Sequence, residues 1–188
     1  MQMYSPIRAR EGNTMSEFID TLESRRSCRK YTDQPVEPEK LQQIVDAGLW
    51  AASGMGRQGT HLVVVTDPDM VAELSHMNAA IMGSEGDPFY GAKTVIVVLS
   101  NPANATCVED GALVMGNLMA AAHGLGVASC WIHRAKEEFE SDEGKALLAK
   151  WGVEGEWRGV GHCILGYADE GGEKPAVERL AGRVTYVK

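Results

Sequence analysis

A chain of 188 residues with a formal charge of −8, 44% hydrophobic and 23% charged, is long enough for one buried core and short for two. The acidic balance excludes the extended cationic face that nucleic acid requires, and no apolar run reaches the length of a membrane-spanning helix. Cys28, Cys107, Cys130 and Cys163 form no C-x-x-C pair and meet no histidines at zinc-finger spacing, which argues against a metal site and against a disulfide framework.

Residues 1–15 carry Arg8, Arg10 and Glu11 without an apolar stretch, so they lack a secretory h-region. They read as an N-terminal extension to a single domain over 16–188, with a cytoplasmic address. A helix is predicted from Ser16 to Ser24. Arg25-Arg26-Ser27-Cys28-Arg29-Lys30-Tyr31 follows, the densest cation cluster of the chain, set against an acidic background. Forked guanidinium donors beside a hydroxyl suit one small phosphate better than a polymer. Taken alone, the same arginines also suit a solvated helix end, where cations meet the negative end of the dipole.

Apolar spacing predicts a second helix from Pro38 to Ala52, and a strand from His61 to Thr66. Between them, Ser53-Gly54-Met55-Gly56-Arg57-Gln58 offers close approach to the backbone and an amide that both donates and accepts. Gly54 to Gly59 matches G-x-G-x-x-G, yet the order is helix, glycines, strand. The dinucleotide fingerprint needs the reverse, so a Rossmann fold is not expected.

A third helix is predicted over Pro68–Met82, then a loop from Gly83 to Gly91, then a strand over Thr94–Ser100. That loop holds Phe89 and Tyr90 and reads as a lid or pocket wall; these two aromatics either line a substrate pocket or plug the loop against the core. Val108 to His123 is apolar nearly all round, with Glu109, Asp110 and Asn117 as its polar interruptions. A helix of that kind is buried on every side, and in so small a domain a second subunit supplies part of the cover. Val127–Ile132 and Gly159–Tyr167 read as strands, with a polar helix over Ser141–Trp151 between them. The tail from Glu173 to Lys188 ends in the alternating Val184-Thr185-Tyr186-Val187 and reads as an edge strand or an arm. His76, His133 and His162 stand isolated and are given no catalytic role.

With these elements in place, the chain resembles the FMN-dependent nitroreductases from about Phe18 onward. Four blocks carry the resemblance. Arg25 to Tyr31 is similar to R-R-S-x-R-x-[YF], and Ala52 to Gln58 to P-S-G-x-N-x-Q. Gly124-Leu125-Gly126-Val127-Ala128-Ser129-Cys130-Trp131-Ile132 is similar to G-L-G-x-x-S-C-W-I, and Gly161 to Tyr167 to G-x-x-x-L-G-Y. The chain departs from the pattern at Ala52, Gly56 and Gly59-Thr60, where the family often has Pro, Asn and Pro-Trp, and at Lys93-Thr94. The missing Asn removes one hydrogen bond to the ring.

The resemblance implies an α+β sandwich, a mixed central sheet flanked by helices, as an obligate homodimer with an extended C-terminal arm and FMN in each of two subunit interfaces. Position by position, it implies that Arg25, Arg26, Ser27 and Arg29 hold the ribityl phosphate and nearby oxygens, with Arg179 of the tail as a late phosphate-binding arginine. Arg29 is also the candidate for the N1–C2 edge of the ring. Ser53, Gly54, Met55 and Gln58 of the partner subunit would line the isoalloxazine, and Trp131 and Ile132 would place backbone near its polar edge. No side chain is assigned as catalytic, because flavin N5 carries the chemistry. The reaction implied is electron transfer from NAD(P)H to nitroaromatics, quinones or similar electron-poor small molecules, alternating oxidised and reduced enzyme. A flavin-dependent dehalogenase or dehydrogenase on the same scaffold, and a flavin-binding protein without turnover, are the alternatives.

Overall fold

The computed structural model describes residues 14–188; the expected extension lies almost wholly outside the described residues. Ten regular elements follow one another: α1 (Thr14–Ser24), α2 (Pro38–Leu49), β1 (Thr60–Val65), α3 (Pro68–Met82), β2 (Thr94–Ser100), α4 (Cys107–Gly124), β3 (Ala128–Ile132), α5 (Ala135–Glu140), α6 (Asp142–Lys150) and β4 (Arg158–Gly166). The four strands form one sheet in the order β1-β2-β4-β3, and every neighbouring pair in it is antiparallel. The sheet is thus antiparallel and not the expected mixed one; its one parallel contact among the described residues is an isolated bridge from Ser27, on the strip after α1, to Ser129.

Every residue of β2 is buried. The strand's pleat sends Val95, Val97 and Leu99 into a core shared with α3, α5 and α6, while Ile96 and Val98 enter a second core shared with α2 and α4. Helices therefore cover both faces, which explains why β2 reads as a continuous apolar run and not as an alternation.

α3 starts and stops where its sequence signals stand. Asp67 caps it by accepting from Met70 N at 2.9 Å, Pro68 occupies the first turn, and Gly83 closes it in the left-handed conformation. α2 ends at Leu49, three residues before the expected Ala52, because Trp50 caps it and Ala51 N turns back to Gly48 O. Tyr167 ties the start of α2 to the end of β4: its hydroxyl donates to Glu37 and accepts from Lys40 Nζ at 2.8 Å. That hydroxyl holds the Glu37 carboxyl below the usual glutamate range.

In the single chain α4 is not enclosed on every side: Leu113 is 50% exposed on a face it shares with Gly116 and Ala120, and Val108 is 42% exposed on another, so cover on every side would need a second subunit. Two of its polar interruptions turn inward, with Asp110 buried and Asn117 donating to Ala47 O at 2.9 Å. The tail forms no strand over Val184–Val187, and residues 173–188 lie exposed.

Candidate functional site

The arginine-rich strip runs between β3 and the returning chain. Cys28 N donates to Ser129 O at 3.0 Å on one side, and Arg29 N to Gly172 O at 2.8 Å on the other. Lys30 pairs with Asp169 at 2.8 Å, so this lysine is spent on holding the strip. The arginines divide. Arg26 Nη1 donates to Glu23 O and Arg25 O at 2.8 and 2.7 Å, closing the end of α1 as a cap. Arg25 points inward instead, and its Nη1 is buried with no hydrogen-bond partner.

Ser129 Oγ and Trp131 Nε1 are also buried without partners. Two residues apart on β3, these side chains share one face of the strand. The Arg25 charge acts on the Cys163 thiol, so this arginine comes near the middle of β4. A buried guanidinium nitrogen without a partner costs free energy unless an acceptor meets it, and an oxyanion does so. Trp131 turns along the sheet the other way, its Nε1 lying over Gly161, where a Cβ would sit 2.3 Å from it. Burial pushes the Cys163 thiol up to about 12, which makes it a core residue and not a nucleophile.

Arg29, Tyr90, Trp131 and Ile132 come together around one cavity of about 340 Å³, with Arg134 and the 84–90 loop completing its wall. Phe89 takes the other direction. It is buried against His162, ring centroids 5.3 Å apart, and borders a larger, mainly apolar cavity of about 930 Å³ on the far side of the same loop. The larger space touches none of the arginines of the strip, so chemistry and not size singles out the smaller one. His162 itself is fully buried, with Nε2 2.9 Å from Glu138 Oε2.

The second block lies elsewhere. Ser53 Oγ accepts from Gln58 N at 3.0 Å, and Gly54 N donates to Asp110 Oδ1 at 2.8 Å. A side chain at Gly54 would collide with Thr106 Oγ1 at 2.1 Å, so glycine is required for this docking on the start of α4. Met55 is 88% exposed, and it and Gln58 both hold left-handed backbone. The arginine strip meets the opposite end of α4, where Ser24 Oγ lies 2.8 Å from His123 Nε2. Asp110 and His123 are separated by about 20 Å along the helix axis. The two blocks therefore dock on opposite ends of α4. Arg179 is apart from both, its guanidinium turned back on Val177 O at 2.7 Å.

Asp110, Ser129, Asn78 and Arg134 were not legible as site residues. Arg134 stands two positions after the Cys130-Trp131-Ile132 block, which was the available signal; Asp110 shows only as a polar residue in an apolar helix.

Comparison with known proteins brings these observations together. A family model for the nitroreductases matches residues 22–88, the stretch from the arginine strip through the second block to the cavity loop. A nitroreductase with bound FMN from Bacteroides fragilis superposes with a TM-score of 0.84 at 29% identity, covering 92% of this chain and 99% of that one. An FMN-dependent nitroreductase from Clostridium difficile is 30% identical with a TM-score of 0.75, covering 90% and 99%. A protein of Archaeoglobus fulgidus, whose name joins NADH dehydrogenase and NAD(P)H nitroreductase, is 28% identical over 123 residues, 63% of this chain and 68% of that protein.

Proposed function

The chain belongs to the nitroreductase family and is an FMN-dependent NAD(P)H oxidoreductase, and we propose that it passes electrons to nitroaromatics, quinones or similar electron-poor rings at a site completed by a second copy of the chain. The observation that carries this reading is the buried Arg25 Nη1 without an acceptor. It fits the phosphate end of FMN, whose oxyanions accept charge-assisted bonds from a guanidinium.

Once bound, FMN supplies the electron-transfer chemistry. The chain supplies position and charge. Arg25 and Ser27 would hold the phosphate, with Arg29 standing at the cavity beside Trp131 and Ile132, where a guanidinium favours negative charge on the ring's polar edge. Arg26 serves chiefly as the cap that fixes the strip's entry. The separation of the two blocks along α4 supports the dimer: Ser53, Gly54, Met55 and Gln58 meet the ring only if the partner subunit presents them. The apolar stripe of α4, the exposed Phe18 and Leu22 of α1, and Trp50 at the end of α2 supply the surface for that association. The tail with Arg179 is then an arm for the partner. Donor and acceptor would enter the space beside the flavin ring in turn, a ping-pong sequence.

The test is direct. The purified protein carries stoichiometric FMN, is yellow, and bleaches anaerobically with NADH or NADPH, recovering its colour when a quinone or nitroaromatic is added. A flavin that dithionite bleaches and neither nicotinamide does would move the electron source elsewhere. Protein that holds no FMN after reconstitution would remove the reading.

A further inference from the structure

The described residues include four non-glycine positions with left-handed backbone: Met55, Gln58, Tyr90 and Arg134, with φ of 56°, 49°, 54° and 76°. The first two belong to the second block. Tyr90 and Arg134 both line the 340 Å³ cavity. Such conformations cost of the order of 1–3 kcal/mol each and persist where surrounding structure enforces them. What enforces Arg134 is visible.

Its Nε donates to Asn78 Oδ1 at 2.9 Å. Asn78 is fully buried, and its amide nitrogen donates to His133 O at 2.7 Å and to Glu138 Oε2 at 3.3 Å. Those two acceptors oblige the amide to turn its oxygen toward the arginine. Glu138 is in turn 2.9 Å from His162, inside the core. The guanidinium is thus pinned through one nitrogen to a buried polar chain, and its two terminal nitrogens have no partner among the described residues. An arginine fixed in that way holds its outer fork ready for two oxygens of one anion.

The cavity's charges agree. Asp87 also lies on its wall, yet its carboxylate is consumed by the loop: Oδ1 accepts from Ser75 Oγ at 2.6 Å and Phe89 N at 2.8 Å, and Oδ2 from Gly91 N at 2.6 Å. With Arg29 given to the polar edge of the flavin ring, Arg134 remains as the cation left to face what enters beside it, in a chain of net charge −8. Arg25, which the cofactor's phosphate would occupy, does not line it.

We infer that Arg134 reads an anionic substituent, a carboxylate or a phosphate, on the molecule that enters this cavity to exchange electrons. The inference rests on the oxidoreductase reading and adds a substrate class to it: electron-poor rings bearing an acid group, or the pyrophosphate of the nicotinamide donor.

4-Nitrobenzoate and 4-nitrobenzamide share size and ring and differ in charge, which makes them the probes. In calorimetric titrations of the holoenzyme, the acid binds at least tenfold more tightly than the amide, and the preference shrinks as salt is raised. Arg134→Gln reduces that preference about tenfold or more, in the titration and in the ratio of kcat/KM for the two acceptors, and Arg134→Lys restores part of it. Stopped-flow reduction by NADH locates the source of the anion. An NADH dissociation constant unchanged in Arg134→Gln assigns the site to the acceptor's acid group, and one weakened tenfold assigns it to the pyrophosphate as well. Equal binding of acid and amide by the wild type overturns the inference without any variant. So does an unaltered preference in an Arg134→Gln protein that retains FMN. A wild type without FMN, or one that no nicotinamide bleaches, defeats the oxidoreductase reading instead.

Discussion

Arg25 and Arg26 are adjacent, identical in chemistry and opposite in use. Arg26 spends its guanidinium on the last carbonyls of α1, while Arg25 carries a buried nitrogen with no acceptor. The two readings of the cluster thus divide between neighbours: Arg26 is the cation at the helix end, and Arg25 is the one left for the phosphate grip we propose. Arg25→Ala removes a charge-assisted donor from the phosphate site, and FMN affinity should fall by about 1–3 kcal/mol, roughly five- to 150-fold, in a fluorescence titration of apo-protein with FMN. Arg26→Ala should leave that affinity within a few-fold and lower the thermal midpoint instead, since it deletes a cap. Equal flavin retention in wild type and Arg25→Ala would remove Arg25 from the site.

At the level of elements, the 84–91 loop separates the two cavities and gives one aromatic to each side. Asp87 organises it by accepting from Ser75 Oγ, Phe89 N and Gly91 N. Asp87→Ala leaves two backbone donors and a hydroxyl without acceptors, at a cost of about 1–3 kcal/mol. Hydrogen exchange at the Phe89 and Gly91 amides should speed up while β2 stays protected; unchanged exchange would show the loop held by Phe89 packing alone. Elements of this kind differ in how much the sequence reveals. α3 and β2 carry their own boundaries, a capping Asp and Pro before a C-cap Gly in one and an unbroken β-branched run in the other. α5, with the sequence Ala-Lys-Glu-Glu-Phe-Glu, has no apolar period to detect in six residues and is held by Ala135 and Phe139 packing in the core. The arginine strip was legible as a dense cluster of cations, and Trp131 only through the resemblance of the block that contains it. Arg134 and the Asn78–Glu138–His162 chain were not, because residues from α3, α5 and β4 meet only through the tertiary fold.

At the scale of the molecule, the two halves of the site lie at opposite ends of α4, and the surface between them is apolar. Leu113 projects from that helix into solvent in the single chain, on a face that it shares with Gly116 and Ala120. A twofold arrangement across this stripe brings the start of one α4 toward the end of the other, which places the Ser53–Gln58 turn of one copy by the arginine strip of its partner. Leu113→Glu tests both consequences together. Leu113 is half exposed, so the single chain tolerates the change; at a twofold interface it buries two carboxylates without partners, each costing about 3–5 kcal/mol. Light scattering should then report a monomer, with FMN lost in proportion to the monomer fraction, while far-ultraviolet dichroism stays that of the wild type. Ala146→Glu on the exposed face of α6 adds the same single negative charge away from the stripe and should leave a flavin-loaded dimer. A Leu113→Glu protein that becomes monomeric and still holds FMN with wild-type affinity would mean that one chain suffices for the cofactor, and the second block would lose its role as the partner's contribution.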